Sequence, residues 1–328
     1  MVRPPPNYLR AESKGSTLSN SSEREEVLSF VWWNTSLAPG KRSQSTEEEQ
    51  QVALALVQML ITELGVDFIA LGEVSAREAE IFRKIAEADG FSLLEGFAPS
   101  GRSRFSMLFI YDSTRLQVGS PMTIESRQGD RTLRVAQRLD ILISGAEHPL
   151  HVLASHWPSR IHMAKNSPDR SLLGIRLRDA VDELLSLYTD SGSLHAPNVI
   201  LLGDYNDEPF DNSLSEHLRS TRDRNLVRKK TDLLYNPFWR YLGAPCGNSE
   251  DNAWTLGGTH YHSKGNITRW RLFDQMIFSR SFLQDGEWKL DEKHTQFVDL
   301  PNYSKMLDNG KQRFDHAPIL GVLRRVKK

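Results

Sequence analysis

Eight side chains in this sequence could do acid–base or metal chemistry from fixed positions: Asn34, Glu73, His156, Asp204, Asn206, Asp274, Asp315 and His316. Most stand at the edge of a short apolar run. "VLSFVWWN" ends at Asn34, "VDFIALGE" at Glu73, "PLHVLASH" at His156 and "NVILLGD" at Asp204; "FDQMIF" places Asp274 at its start, and "FDHAPILGVL" places Asp315 and His316 before its apolar stretch. Carboxylates suit a hard cation such as Mg2+, which takes oxygen ligands and keeps several waters. An imidazole exchanges a proton near neutral pH. Amide and imidazole donors can hold phosphoryl oxygens as charge builds in a transition state. Metal-assisted hydrolysis of a phosphoester needs this set.

Each residue also has a local explanation. Asn34 could satisfy a turn, Glu73 could be a solvated strand end or a helix start, and His156 could be a core histidine with a backbone partner. Asp204 and Asn206 could form an Asx turn, Asp274 an ordinary ion pair, and Asp315 and His316 solvated loop. Convergence separates the two readings, because strand ends at one edge of a sheet can meet in space.

The elements that would bring them together follow from pattern. Continuous apolar runs read as strands buried on both faces or at a sheet centre, and further strands are expected near 104–111 and 131–143. A helix is predicted after "STEEEQ", where Thr46 and Glu49 have capping-box spacing and Val52, Leu56, Leu60 and Leu64 recur every fourth residue. A second follows "NSPDRS", with Ser167 able to cap, Pro168 suited to the first position and Asp169 facing the positive helix end. Its buried stripe is Leu173, Leu177, Val181, Leu184 and Tyr188. Residues 1–24 are Pro- and Ser-rich and read as a flexible arm. Residues 25–328 read as one catalytic domain, with 210–270 a long irregular excursion over one end of the sheets. Within it, the aromatic stretch 231–241 is expected to pack against the sheets rather than serve as a substrate platform.

The chain has 328 residues, a formal net charge of −1 and one cysteine, Cys246. No global field attracts a polyanion, so any such site must be a local basic patch. A single cysteine cannot form an intrachain disulfide and fits a reducing compartment. No apolar run is long enough to span a bilayer, and the start carries no apolar signal core. The expectation is a cytoplasmic protein without membrane insertion and with no evident protein partner.

"WWN" at 32–34, "LGE" at 71–73, "ASHWPSR" at 154–160, "GDYN" at 203–206, "FDQMIF" at 273–278 and "FDHAPI" at 314–319 give the chain a family likeness. With these six blocks in order, it resembles the endonuclease/exonuclease/phosphatase superfamily. The resemblance implies an α/β fold, a four-layer sandwich with two mixed β-sheets packed face to face and helices outside. It implies Mg2+, with Mn2+ as the alternative, held by Glu73, Asp315 and Asn34. It gives catalytic roles to His156, Asp204, Asn206, Asp274 and His316: Asp204 orients or deprotonates water, Asn206 donates to a phosphoryl oxygen, and Asp274 orients a phosphate-facing His316. Gly203 would allow the close approach of a metal or phosphate. At the position of His156 the family's abasic-site endonucleases carry tyrosine, which argues against that branch. In the deoxyribonuclease I branch a glutamate partners this histidine, and "SRFSMLFIY" offers no acid between Ser103 and Tyr111, so the partner of His156 is left open.

Substrate class is the least determined feature. Arg102, Arg104, Arg160, Lys165, Arg170, Lys264, Arg269 and Arg271 lie near the predicted site loops, with Trp157, Tyr261 and Trp270 among them. Such residues neutralise phosphates and stack on bases, or simply solvate and pack. Arg160, Lys165 and Arg269, with Asn34 and Asn206, are the expected substrate contacts. The leading expectation is a nuclease with nucleic acid as partner, DNA ahead of RNA. The alternatives are a phosphodiesterase or phosphatase for a small-molecule or lipid-headgroup phosphoester, and an inactive nucleic-acid-binding module.

Overall fold

A computed structural model describes residues 25–38, 44–100, 103–190, 196–243, 247–248, 254–284, 286–298, 303, 307 and 313–326. The expected arm at 1–24 and Cys246 lie outside the described residues. The longer strands are β1 (Glu25–Asn34), β2 (Phe68–Gly72), β3 (Phe91–Glu95), β4 (Met107–Asp112), β5 (Leu116–Val118), β6 (Met122–Gln128), β7 (Arg131–Ile143), β8 (Leu150–His156), β9 (Asn198–Asp204), β10 (Asp274–Phe278) and β11 (Ile319–Val326). Among the elements wholly described are the α-helices α1 (Glu47–Thr62), α2 (Ala76–Ala88), α3 (Pro168–Asp190) and the short α4 (Arg224–Lys229).

Two mixed sheets form. The first runs β11-β1-β2-β4-β3, with Lys289–Leu290 and Gln296–Phe297 added along β11. The second runs β10-β9-β8-β7-β5, with β6 beside β7 and the pairs Ser220–Thr221 and Leu234–Tyr235 continuing beyond β10. A parallel pair lies at the heart of each sheet, β1 with β2 and β8 with β9. The neighbours β11 and β10 run antiparallel to them.

Side-chain alternation along the strands sets the layers. On β1, Leu28, Phe30 and Trp32 enter the core between the sheets, while Val31 and Trp33 face α1 and α2. On β9, Ile200 and Leu202 enter the same inter-sheet core, while Val199 and Leu201 pack under α3 with Leu173, Leu177, Val181 and Leu184. The order helix, sheet, sheet, helix is the expected four-layer sandwich.

Local signals fix where the helices start. The Thr46 hydroxyl accepts from Glu49 N at 3.2 Å, and the Glu49 carboxylate accepts from Thr46 N at 2.8 Å. Arg313 Nε reaches the same carboxylate at 2.7 Å and ties the start of α1 to the segment before His316. A second capping box, Ser75 with Glu78, opens α2 directly after Glu73 and Val74. At α3, Pro168 takes the first position as expected, but the buried Ser167 hydroxyl meets no hydrogen-bond partner among the described residues and makes no cap there.

The stretch 210–270 is built of short pieces where described: a π-helical turn at Ser213–His217, α4, a 3-10 turn at Pro237–Gly243 and several two-residue strands. Tyr235 and Phe238 are buried in the inter-sheet core, and Tyr241 packs beside them, as expected for this aromatic stretch.

Candidate active site

The parallel pairs send their carboxyl ends to one edge of the sandwich, and the antiparallel neighbours begin there. Asn34 pairs with Gly72, so Glu73 emerges beside Asn34. His156 pairs with Asp204 and Asp204 with Asp274, so three site residues form a row across adjacent strands. Asp315 and His316 immediately precede β11. Among the described non-glycine residues, five have positive φ, and three of these belong to this edge: Ser36 at 53°, Glu73 at 55° and Asn206 at 51°. Such backbone costs of order 1–3 kcal/mol and persists where surrounding structure enforces it, commonly at functional sites.

Asp204 is the hub. Its Oδ2 accepts from Asn34 Nδ2 and Asn206 Nδ2, each at 3.1 Å, and its Oδ1 accepts from Asn206 N at 2.9 Å. Burial, then the charge of Asp274, pushes the Asp204 carboxyl above its ordinary range. A Cβ at Gly203 would lie 2.1 Å from the Ser155 carbonyl oxygen, so the glycine lets β8 approach β9.

His316 is held by a chain of donors and acceptors. Its Nδ1 lies 2.7 Å from Asp274 Oδ2, and Asp274 Oδ1 accepts from Trp32 Nε1 at 2.8 Å. Its carbonyl accepts from Trp33 Nε1 at 3.1 Å and the Tyr303 hydroxyl at 2.8 Å. Its Nε2 sits 3.8 Å from Asp204 Oδ2 and 4.0 Å from Asp315 Oδ1. Burial opposes the imidazolium, but the charges of Asp274 and Asp204 outweigh it and raise the pKa to about 10.

His156 lies on the other side of Asp204. Its Nε2 is 3.5 Å from Glu73 Oε1 and 3.8 Å from Asp204 Oδ2, while Nδ1 is buried with no partner among the described residues. Burial depresses its pKa to about 4 despite Asp204. The imidazole is therefore neutral at pH 7.

Glu73 shows why this edge calls for a cation. Burial first, then the charges of Asp315 and Asp204, raises its pKa to about 7. Asp315 Oδ1 accepts from Ser36 Oγ at 2.5 Å. Carboxylates gathered at low exposure repel one another, and a hard divalent ion with oxygen ligands relieves that repulsion. Glu73 and Asp315, with the Asn34 amide beside them, offer oxygen ligands of the kind a hard divalent cation takes.

Three of the expected substrate contacts, Arg160, Lys165 and Arg269, have partners within the protein. Arg160 Nε donates to the Asn206 carbonyl at 2.9 Å, and its Nη2 meets Asp207 at 3.3 Å and Asp211 at 2.5 Å. Lys165 Nζ pairs with Asp211 at 2.8 Å, and Arg269 Nη1 reaches the Tyr261 hydroxyl at 3.3 Å. Arg170 is buried and donates to the carbonyls of Pro158, Met163 and Tyr205. Gln275 donates to the Asp207 carbonyl at 2.8 Å, so three consecutive carbonyls of the Asp204 turn each receive a side-chain donor. Trp157, Tyr261 and Trp270 are buried in the helix-side cores, not exposed for stacking. The side chains of Arg102 and Arg104 lie outside the described residues.

Two residues join the site that pattern alone did not single out. Arg134, on β7, adds positive charge felt by both Glu73 and His156, with its guanidinium 5.9 Å from the Phe105 ring centroid. His260 lies against His316, ring centroids 4.6 Å apart, and stacks on Phe273 at 5.3 Å. Burial, then the neighbouring His316 charge, lowers its pKa to about 3.

A family model described as the Endonuclease/Exonuclease/phosphatase family matches residues 98–315. Among solved structures, the human Nocturnin catalytic domain with bound sulfate gives a TM-score of 0.58 at 15% identity, covering 90% of this chain and 94% of that one. D. rerio TDP2 complexed with single strand DNA product gives 0.53 at 16% identity, with 90% and 98% covered. The mannosyl-6-phosphatase of Bacteroides thetaiotaomicron gives 0.53 at 12% identity, with 90% and 99% covered. Likeness at such identities shows the fold. No curated protein sequence matches the chain. Among the described residues, no helix is long and apolar enough to cross a membrane.

Proposed function

Because the chain belongs to the endonuclease/exonuclease/phosphatase family of phosphoester hydrolases, we propose that it is a Mg2+-dependent phosphodiesterase that hydrolyses nucleic acid, DNA ahead of RNA. The observation that carries the catalytic reading is the buried cluster in which Asn34, Asn206, His156 and His316 surround the Asp204 carboxylate. Mn2+ is the alternative cation. The single cysteine fits a reducing compartment, the cytoplasm.

Each residue has a role in this mechanism. Asp204, fixed by two amides and a backbone N–H, orients water and takes its proton as the oxygen attacks phosphorus. Protonated His316, held by Asp274, donates from Nε2 to a phosphoryl oxygen as negative charge grows there. Asn206, whose amide donates to Asp204 and to the Trp157 carbonyl, holds the Asp204 carboxylate in place. Neutral His156 donates toward the leaving oxygen. Glu73, Asp315 and Asn34 would hold Mg2+, which when bound neutralises phosphate charge and polarises the phosphorus–oxygen bond.

A second reading, a small-molecule phosphoester as substrate, is favoured by one observation. Arg160 and Lys165 are engaged by Asp211, and the nearby aromatics are buried, so less basic–aromatic surface faces a polynucleotide. Incubation with supercoiled plasmid and Mg2+, with and without EDTA, separates the readings. Chelator-sensitive nicking supports the nuclease. Turnover of a chromogenic phosphodiester without nicking supports the small-molecule enzyme. Inertness toward both with retained DNA binding supports a binding module.

A further inference from the structure

His260, Asp315 and His316 each offer a ligand atom, and these atoms lie within 4.8 Å of one another. We propose that these three residues form an inhibitory site for a nitrogen-preferring divalent ion, Zn2+, which shares Asp315 with the carboxylate-based Mg2+ site and adds two imidazoles. Two imidazoles and one carboxylate, with water in a fourth position, match the three-protein-ligand pattern of open zinc sites. Mg2+ prefers oxygen ligands, so the nitrogen pair discriminates between the two ions.

The supporting contacts are those a ligand set needs. His316 Nδ1 faces Asp274 at 2.7 Å, which leaves Nε2 for an ion and raises its basicity. Asp315 Oδ1 is itself hydrogen-bonded by Ser36. His260 Nδ1 is buried and meets no hydrogen-bond partner among the described residues. The backbones are locked together: His260 and His316 form a β-bridge, Tyr261 N donates to Asp315 O at 2.8 Å, and Ala317 N donates to Thr259 O at 2.7 Å. Rigid support of this kind holds ligands near a fixed geometry.

An ion held there displaces the His316 Nε2 proton and occupies that nitrogen and Asp315 together. Inhibition, unlike binding, presupposes the phosphoesterase roles given above for those two residues. The full chain is stripped with chelator and titrated with Zn2+ against a chromogenic zinc indicator, without Mg2+, for wild type, His260→Gln and Glu73→Gln. Wild type and Glu73→Gln are expected to bind one Zn2+ with similar affinity, and His260→Gln to bind at least about 10-fold more weakly. Far-UV circular dichroism checks each variant's fold. Unchanged Zn2+ affinity in His260→Gln overturns the site, and so does an equal loss in Glu73→Gln, which would put the ion among the carboxylates. Co2+ gives a second readout on the wild type alone: visible absorption of a four-coordinate, nitrogen-ligated ion supports the site, and its absence overturns it. Where a phosphoester substrate is turned over, Zn2+ inhibits wild type and at least about 10-fold more Zn2+ is needed for His260→Gln. A protein that binds Zn2+ this way but hydrolyses nothing keeps the site and discards the hydrolase reading.

Discussion

Asn34 and Asp204 stand 170 residues apart in the chain and on different sheets, yet the Asn34 amide donates to Asp204 Oδ2 at 3.1 Å. This bond crosses the inter-sheet gap at the catalytic edge. Asn34→Ala removes a donor from a buried carboxylate that keeps, among the described residues, the two Asn206 donors. We expect a loss of about 1–3 kcal/mol in stability together with a fall in turnover of roughly 10-fold or more. Thermal unfolding and single-turnover rates on the same preparation check both.

Asp204→Ala and His316→Ala remove the acid–base groups themselves. Each is expected to slow turnover by about 10²-fold or more while the protein stays folded. Full rate in both folded variants would show that the reaction does not use them.

Asp274→Asn tests the imidazolium. Burial disfavours the charged ring, and Asp274 with Asp204 reverses that, giving His316 a pKa of about 10 against an ordinary 6.5. A raised folded-state pKa stabilises the fold fully below about 6.5 and loses that contribution as pH climbs toward about 10. Without the Asp274 charge the proton leaves at lower pH. The alkaline limb of the kcat/KM profile should therefore move to lower pH, and an unmoved limb would separate His316 from it.

Glu73→Gln joins metal use to stability. In the metal-free protein the raised Glu73 pKa, about 7 against 4.5, means stability falls as pH rises between those values, by about 3 kcal/mol at most. The glutamine variant has no such fall, so without metal it should melt higher than wild type at pH 8. Adding Mg2+ should raise the wild-type Tm and raise the variant's less. EDTA should abolish wild-type turnover. Equal Mg2+ shifts in both proteins would remove Glu73 from the cation site.

Arg160 distinguishes positioning from substrate contact. Its guanidinium holds the Asn206 carbonyl and Asp211, so Arg160→Gln should lower kcat by roughly 10-fold with little change in KM. A raised KM with intact kcat would instead make it a substrate-binding residue.

Much of the fold was legible because strands buried on both faces leave long apolar runs, and because a polar residue closing such a run is conspicuous. Asn34, Glu73, His156 and Asp204 were visible for that reason, as was the Thr46–Glu49 cap. Charge type was legible for Arg160 and Lys165, but their shared partner Asp211 was not, since ion pairs across some 50 residues leave no periodic trace. Trp157 illustrates the same limit: an aromatic beside basic residues suggests stacking, yet its indole packs under α3 and donates to Val135 O at 3.0 Å. His260 escaped notice because its strand is two residues long, too short to show alternation. Arg134 sits on a long strand rich in charge, where one more arginine carries no mark.

The slab of apolar side chains between the sheets acts as a spacer of set thickness. Phe30, Ile200, Leu202 and Met276 determine how far β1 stands from β9 and β10. Thickening or thinning that layer by one methylene, far from any reactive atom, would open or pinch the seam where Asn34 meets Asp204. Variants of these interior residues should thus mistune the reaction while leaving every polar group of the cleft in place.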